Sequence, residues 1–215
     1  MDIQGIIFDF DGTLAELNLD FGLMARRVEE LARREGYAGP WPSGYLLEAL
    51  TVVSERMGDG FAGRAELVIE AVELEAAGRG RLFPFTRPLL AQGRAQGLSL
   101  GVVSRNCGAA IRHLLPEADQ LNAFLPRERA PKPKPHPDQL WDACRQMGLE
   151  PGQAAMVGDH PTDMQAAVAA GCVAVGVTSG RVDEAELREA GATVVLPDAE
   201  GILEALGKER EIYSK

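Results

Sequence analysis

Residues 5–14 read Gly-Ile-Ile-Phe-Asp-Phe-Asp-Gly-Thr-Leu, and this stretch constrains the fold more than any other part of the chain. The apolar run Ile6–Phe8 is typical of a buried strand, and two carboxylates, Asp9 and Asp11, follow it directly. Gly12 then permits a tight turn. Ligands bind at the carboxyl ends of parallel strands, where two adjacent carboxylates need a cation or a shared proton. The stretch predicts a metal ion with a bound phosphate, and an ordinary Asp- and Gly-rich turn is the alternative.

Size, charge and cysteine content narrow the class of protein. A chain of 215 residues can form one or two domains with a substantial core. The formal net charge of −10 argues against a nucleic-acid partner held by general electrostatics. The cysteines Cys107, Cys144 and Cys172 are odd in number and widely spaced, which argues against a disulfide framework or a zinc site.

The chain also lacks the marks of export or membrane insertion. Asp2 stands where a signal peptide would carry positive charge. The longest apolar stretch, near residues 166–177, is interrupted by glycine and is too short to span a bilayer. We therefore expect a cytoplasmic protein without a membrane or nucleic-acid partner.

Residues 15–81 follow a helical pattern. Three helices are predicted: from Phe21, with Asp20 as N-cap, to a stop at Gly36; from near Ser43 to Gly58; and from about Gly63 to Ala77. Because no strand pattern interrupts this block, we predict that it forms an all-helical domain inserted after the first strand. Gly78 and Gly80 on one side and segment 14–20 on the other are the predicted hinges.

Strands and helices alternate after Leu82. The predicted strands are 98–103, 123–125, 154–157, 173–177 and 193–196, and helices separate them. This alternation predicts a mainly parallel sheet covered by helices on both faces, an α/β core of the Rossmann-like, doubly wound type. The core domain comprises residues 1–14 and 82–215.

Polar side chains follow three of the predicted strands. Besides Asp9 and Asp11, Ser104 ends one strand, and Asp159, with Asp163 four residues on, ends another. These ends meet at one edge of a doubly wound sheet, so the groups can converge. The proline-rich loop 131–137 is neither helix nor central strand, and it carries Lys132 and Lys134. Taken singly, Ser104 and Asp163 are also typical of helix N-termini.

In combination these residues resemble the four motifs of the haloacid dehalogenase superfamily. The matching segments, in the family's order and spacing, are Asp9-Phe10-Asp11-Gly12-Thr13-Leu14, Ser104, Lys134 and Gly158-Asp159 with Asp163. The helical block 15–81 resembles the type 1 cap of the phosphoglycolate phosphatase-like branch. The resemblance implies an Mg²⁺-dependent phosphatase that acts on a small-molecule phosphate ester.

The resemblance also implies a role for each matching residue. Asp9 would attack phosphorus and form an aspartyl-phosphate, while Asp11 would act as general acid and then as base. Lys134 and Ser104 would stabilise the transferring phosphoryl group. Mg²⁺ would be held by Asp9, the Asp11 carbonyl, Asp159 and Asp163. Further phosphate or substrate contacts are expected from Phe10, Gly12, Thr13, Arg105 and Asn106.

Several alternatives remain open. A sugar-phosphate mutase shares these motifs, and a non-catalytic phosphate-binding protein is a less favoured alternative. A nicotinamide enzyme is disfavoured because no GxGxxG follows the first strand. Arg105, where the family usually has Asn, either faces solvent or adds positive charge near the substrate. His160 is interpreted as a turn residue that could reach the site, and Lys132 competes with Lys134. The substrate, and the choice between monomer and homodimer, are left open.

Overall fold

The computed structural model describes residues 2–129 and 132–213, and within them it confirms the predicted α/β class. The strands are β1 (Gly5–Phe8), β2 (Ala15–Glu16), β3 (Arg81–Leu82), β4 (Ser99–Val103), β5 (Ala123–Leu125), β6 (Ala154–Gly158), β7 (Val173–Val177) and β8 (Val194–Leu196). The helices are α1 (Phe21–Arg34), α2 (Leu46–Met57), α3 (Asp59–Ala77), α4 (Thr86–Ala95), α5 (Gly108–Leu114), α6 (Asp138–Met147), α7 (Pro161–Ala170), α8 (Glu184–Glu189) and α9 (Ile202–Tyr213). Pro131 of the predicted proline-rich loop lies outside the described residues.

The central sheet is parallel and has the strand order β5-β4-β1-β6-β7-β8. All four residues of β1 are buried, as expected for an apolar strand between two neighbours. Chain order runs outward from β1 through β4 and β5 on one side, and through β6, β7 and β8 on the other. The carboxyl end of β1 is therefore the switch point at which such sheets bind ligands.

Helices cover both faces of this sheet. On one face, α6 and α7 pack on apolar residues that include Ile7, Val103 and Met156. On the opposite face, Leu100 lies against Gly93 of α4. This burial holds the strand ends in fixed positions, because closely packed interiors deform little.

The chain divides into two compact units, residues 1–17 with 80–215 and residues 18–79. The second unit contains α1, α2 and α3, and its buried residues include Val28, Val53 and Ile69. The assignment of this unit as a cap stays a prediction.

The ends of these helices agree with the sequence patterns in part. Asp20 caps α1 as predicted, since its carboxylate accepts from the Leu23 N–H at 2.7 Å. The predicted start of the second helix near Ser43 is wrong, because Gly44 has a φ of 111° and the helix begins after it. The third helix begins at Asp59, directly after Gly58, rather than at Gly63.

A short antiparallel ribbon in the first unit was not predicted. Ala15 pairs with Leu82 and Glu16 with Arg81, and the two charged side chains form an ion pair at 2.5 Å. The expectation of no strand within the block 15–81 is therefore wrong at its two ends and confirmed for residues 17–80. Two-residue strands are too short to produce a periodic pattern, so only the pairing reveals them.

Among the described helices, none combines the length and the apolar character needed to cross a membrane.

Candidate active site

The site is built around a buried ion pair at the end of β1. Lys134 is 1% exposed, and its Nζ lies 2.9 Å from Asp9 Oδ1 and 2.5 Å from Asp163 Oδ1. The same Nζ donates to the Val103 carbonyl at 3.0 Å, which ties the lysine to the end of β4. Burial alone would lower the pKa of Lys134, but the carboxylates of Asp163 and Asp9 raise it above its ordinary value. Lys134 therefore carries a fixed positive charge beside Asp9, whereas Lys132 is exposed.

An acidic cluster is formed by Asp9 after β1, Asp159 after β6 and Asp163 in the first turn of α7. Each offers a carboxylate oxygen, and these oxygens lie within 4.8 Å of one another. Burial is the largest cause that raises the pKa of Asp159 to about 8, and repulsion from Asp9 and Asp163 adds to the increase. Burial also raises the pKa of Asp163 to about 6, although Lys134 opposes this shift.

Crowded carboxylates of this kind, two of them buried, fit a divalent cation. Removing three acids from water and holding them together is unfavourable unless positive charge compensates them, and Lys134 supplies only one charge. Carboxylate oxygens are the ligands that Mg²⁺ prefers. Asp9, Asp159 and Asp163 are thus the side chains that would hold the ion. The predicted contribution of the Asp11 carbonyl stays a prediction.

Two glycines leave room for the Asp159 carboxylate. A Cβ added at Gly12 or at Gly180 would overlap its atoms. Gly12 also has a φ of 81°, which L-residues rarely adopt, so this position combines a steric and a backbone requirement for glycine. The Thr13 hydroxyl is buried and lies 3.5 Å from Asp159 Oδ1.

Asp11 lies in a tight turn that follows the first strand. The Leu14 and Ala15 N–H groups both donate to the carbonyl of Phe10, a fully buried residue. Asp11 Oδ1 accepts from the Leu17 N–H at 2.8 Å. Burial raises the pKa of Asp11 to about 6, with the Leu17 bond opposing and Asp9 adding to the shift. A carboxyl with a pKa near neutrality can both give and take a proton.

Ser104, Arg105 and Asn106 form the loop that follows β4, here called the Ser104 loop. The Ser104 hydroxyl donates to Asn106 Oδ1 at 3.0 Å and accepts from the Asn106 N–H at 3.2 Å. Helix α5 begins only at Gly108 and has Cys107 as its N-cap, so Ser104 is not the cap of this helix. Ser104 and Asn106 are buried, and Arg105 is half-buried.

Asp163 and His160 share the N-terminus of α7. His160 is the N-cap, its ring nitrogen accepts from the Thr162 N–H, and its own N–H donates to Asp163 Oδ2 at 3.1 Å. His160 is therefore confirmed as a residue of the turn that begins α7. Both interpretations of Asp163 apply. One of its oxygens accepts from the N–H of the helix N-cap, and the other contacts Lys134 in the candidate site.

Sequence reasoning missed residues 179 and 180, which follow β7 at the same edge of the sheet. The Ser179 hydroxyl donates to the Gly12 carbonyl at 2.7 Å, and Gly180 lies against Asp159. Their position directly after a predicted parallel strand was the signal that could have identified them.

Comparisons with known proteins identify the family to which the chain is similar. The family model for haloacid dehalogenase-like hydrolases matches residues 6–177. A phosphoglycolate phosphatase from Neisseria meningitidis is 31% identical over 208 residues, which cover 89% of this chain and 87% of that protein. A hydrolase structure from Pseudomonas syringae has a TM-score of 0.74 and 21% identity, covering 95% of this chain and 98% of that chain. A proposed β-phosphoglucomutase from Thermotoga maritima has a TM-score of 0.63 and 20% identity, covering 96% of this chain and 99% of that chain. At these identities the two structures show the fold alone.

Proposed function

This chain belongs to the haloacid dehalogenase-like hydrolase family, and we propose that it is an Mg²⁺-dependent phosphatase that hydrolyses a small phosphomonoester through an aspartyl-phosphate on Asp9. The observation that carries the proposal is the contact of one buried lysine with both Asp9 and Asp163, beside Asp159. This arrangement supports a nucleophilic role for Asp9, beside a cation and a cluster that could hold a metal ion.

In the first step, a carboxylate oxygen of Asp9 attacks phosphorus while the bond from phosphorus to the leaving oxygen breaks. Lys134 donates to Asp9 Oδ1, and this hydrogen bond fixes the orientation of the attacking carboxylate. Asp11, in its protonated form, donates its proton to the leaving alkoxide.

In the second step, Asp11 in its ionised form takes a proton from a water molecule, and that water attacks the phosphorus of the aspartyl-phosphate. The bond between phosphorus and Asp9 breaks, which releases inorganic phosphate and restores the carboxylate. A pKa of about 6 leaves Asp11 able to serve in both directions near neutral pH. Mg²⁺, held by Asp9, Asp159 and Asp163 with the Asp11 carbonyl, would offset the negative charge of the phosphoryl group.

The Ser104 loop would bind the phosphoryl oxygens. The Ser104 hydroxyl and the Arg105 N–H are donors of the type that stabilise developing charge, and Arg105 adds positive charge nearby. We assign residues 18–79 as the cap, with segment 14–20 and the glycines at 78 and 80 as its hinges. Cap closure would exclude water during the transfer.

Phosphoglycolate is the first substrate to test. The relative from Neisseria meningitidis bears that activity in its name and aligns along nearly the whole chain. Sugar phosphates, nucleotides and pyrophosphate complete the panel, because the residues that would select a substrate lie in the cap. This chain shares only its fold with the Thermotoga maritima protein. No specific observation favours the mutase alternative.

Release of inorganic phosphate from this panel, with Mg²⁺ or with EDTA, tests the proposal. We expect metal-dependent turnover that Asp9→Asn abolishes. With Asp11→Asn and p-nitrophenyl phosphate, whose leaving group needs no general acid, we expect the mass of this variant plus one phosphoryl group, on the peptide that contains Asp9, after acid quenching. Full activity of Asp9→Asn would refute the nucleophile. Absence of phosphate release from every compound by folded wild-type protein would refute the phosphatase.

A further inference from the structure

Three consecutive carbonyls of the Ser104 loop are bound by two residues outside the loop. The Ser104 carbonyl accepts from Gln139 Nε2 at 3.4 Å, and the Arg105 carbonyl accepts from Arg127 Nη1 at 2.9 Å. The Asn106 carbonyl accepts from the Arg127 main-chain N–H at 3.0 Å. We call Arg127 and Gln139 the loop clamp. None of the motifs identified in the sequence includes either residue.

Both clamp residues are buried polar side chains. Gln139 is fully buried near the start of α6, and Arg127 is 7% exposed at the start of the 3₁₀ turn Arg127–Arg129 after β5. Burying a guanidinium or an amide is unfavourable unless its hydrogen bonds compensate. The hydrogen bonds to the carbonyls of the Ser104 loop provide this compensation.

The orientation of the Gln139 amide supports a directed role. Its NH₂ group donates to two carbonyls, those of Ser104 and Leu125, which fixes the nitrogen on that side because an oxygen there would face two acceptors. Within the described residues its Oε1 has no hydrogen-bond partner. An unpaired buried acceptor is unfavourable, and an apolar side chain at this position would avoid that cost. The two hydrogen bonds that the NH₂ group donates therefore explain why a glutamine stands here.

The clamp also sets the direction of the loop's N–H groups. In a trans peptide the C=O and N–H of one unit point in opposite directions. Holding the Ser104 carbonyl on Gln139 therefore turns the Arg105 N–H away from Gln139. Holding the Arg105 carbonyl on Arg127 turns the Asn106 N–H away from Arg127, and this N–H meets the Ser104 hydroxyl.

We propose that Arg127 and Gln139 are positioning residues for phosphoryl transfer, which hold the Ser104 hydroxyl and the Arg105 N–H in the orientation that receives the phosphoryl oxygens. This inference rests on the proposed phosphatase function. Both clamp residues act through the loop and do not contact the reacting atoms themselves. Removing either side chain should therefore weaken the stabilisation of the transition state more than the binding of the substrate.

The test compares Arg127→Met, Arg127→Lys and Gln139→Leu with Thr193→Val. The control removes a side-chain hydrogen bond to a carbonyl, Thr193 Oγ1 to Ala174 at 2.8 Å, near the amino end of β7 and away from the site. We expect kcat to fall about 10- to 100-fold for Arg127→Met and Gln139→Leu, because a misplacement of ~1 Å has effects of this size. KM should change by less than kcat, Arg127→Lys should recover part of the rate, and Thr193→Val should lower only Tm.

Inhibition by orthovanadate gives a readout of the same loop that does not depend on turnover. The inhibition constant should rise with the loss in kcat, and Ser104→Ala should reduce the further effect of Arg127→Met. Folded clamp variants with wild-type kcat and wild-type vanadate inhibition would overturn the inference, as would losses no larger than that of Thr193→Val. Should Gln139→Leu fail to fold, Gln139→Met, which keeps the unbranched shape without donors, is judged by the same readouts. Wild-type protein that neither releases phosphate nor binds vanadate would instead refute the phosphatase proposal.

Discussion

Replacing Asp159 by asparagine should stabilise the metal-free protein, and Mg²⁺ should reduce this advantage over wild type. Asp159 is 9% exposed, and its pKa of about 8 lies far above the ordinary aspartate value of about 4. The folded protein therefore binds this proton more tightly than the unfolded chain does. The associated stability is complete below a pH of about 4 and is lost as the pH rises toward 8.

The size of the effect follows from this pH interval. At a pH of about 7 the loss spans about three pH units, or about 4 kcal/mol as an upper limit at ~1.4 kcal/mol per unit. Asparagine carries no charge and avoids this loss. Since 1 kcal/mol changes Tm by about 2–4 °C in a chain of this length, the metal-free variant should melt up to about 8–16 °C above wild type.

Mg²⁺ should reduce the advantage of the variant. A ligand present at a hundredfold excess over its Kd stabilises the folded state by about 2.7 kcal/mol, and wild type should gain close to this amount. The Asp159→Asn variant should gain little, because it lacks one of the three clustered carboxylates.

Thermal unfolding followed by circular dichroism, in EDTA and in saturating MgCl₂, measures both effects. Glu189→Gln is the control, because it removes one negative charge from an exposed position on α8. The difference between Asp159→Asn and wild type should disappear at a pH of about 4. A variant less stable than wild type in EDTA, or one that gains as much from Mg²⁺ as wild type does, would refute the reasoning.

Two further substitutions test the site. Lys134→Gln removes the buried cation beside Asp9, so phosphate release should fall by about 10²–10³-fold, whereas Lys132→Gln at an exposed position should leave the rate within about twofold. Equal losses in the two variants would contradict the assignment of the lysine. Gly180→Ala places a methyl group on the Asp159 carboxylate, so activity should require about tenfold more Mg²⁺, as measured by metal titration of the rate. An unchanged titration would show that the Asp159 carboxylate can move without loss.

The sequence was most informative where short-range patterns decide the structure. The apolar run before Asp9 is typical of a buried strand and forms β1, and the strand bounds 123–125 and 173–177 agree with the structure. The resemblance to the family motif favours Lys134 over Lys132, and the structure buries the former and exposes the latter.

Features that depend on contacts between distant segments could not be predicted. Ser104 resembles a helix cap locally, and only the position of α5 excludes that interpretation. Arg127 and Gln139 have no pattern of their own, because their significance lies in carbonyls about 20 and 35 positions earlier in the chain. Similarly, Ser179 reaches a carbonyl from the opposite end of the sequence.

The ribbon of β2 and β3 makes the helical unit an exchangeable module. The chain leaves the core after Glu16 and returns at Arg81, which is paired with it, so the two connections are about 5 Å apart. A two-residue turn can close a gap of this width. The core can therefore be joined to helical units of other lengths and sequences while its own strands keep their register. A shortened protein engineered at this ribbon retains every side chain of the acidic cluster but loses the Leu17 N–H that donates to Asp11 Oδ1.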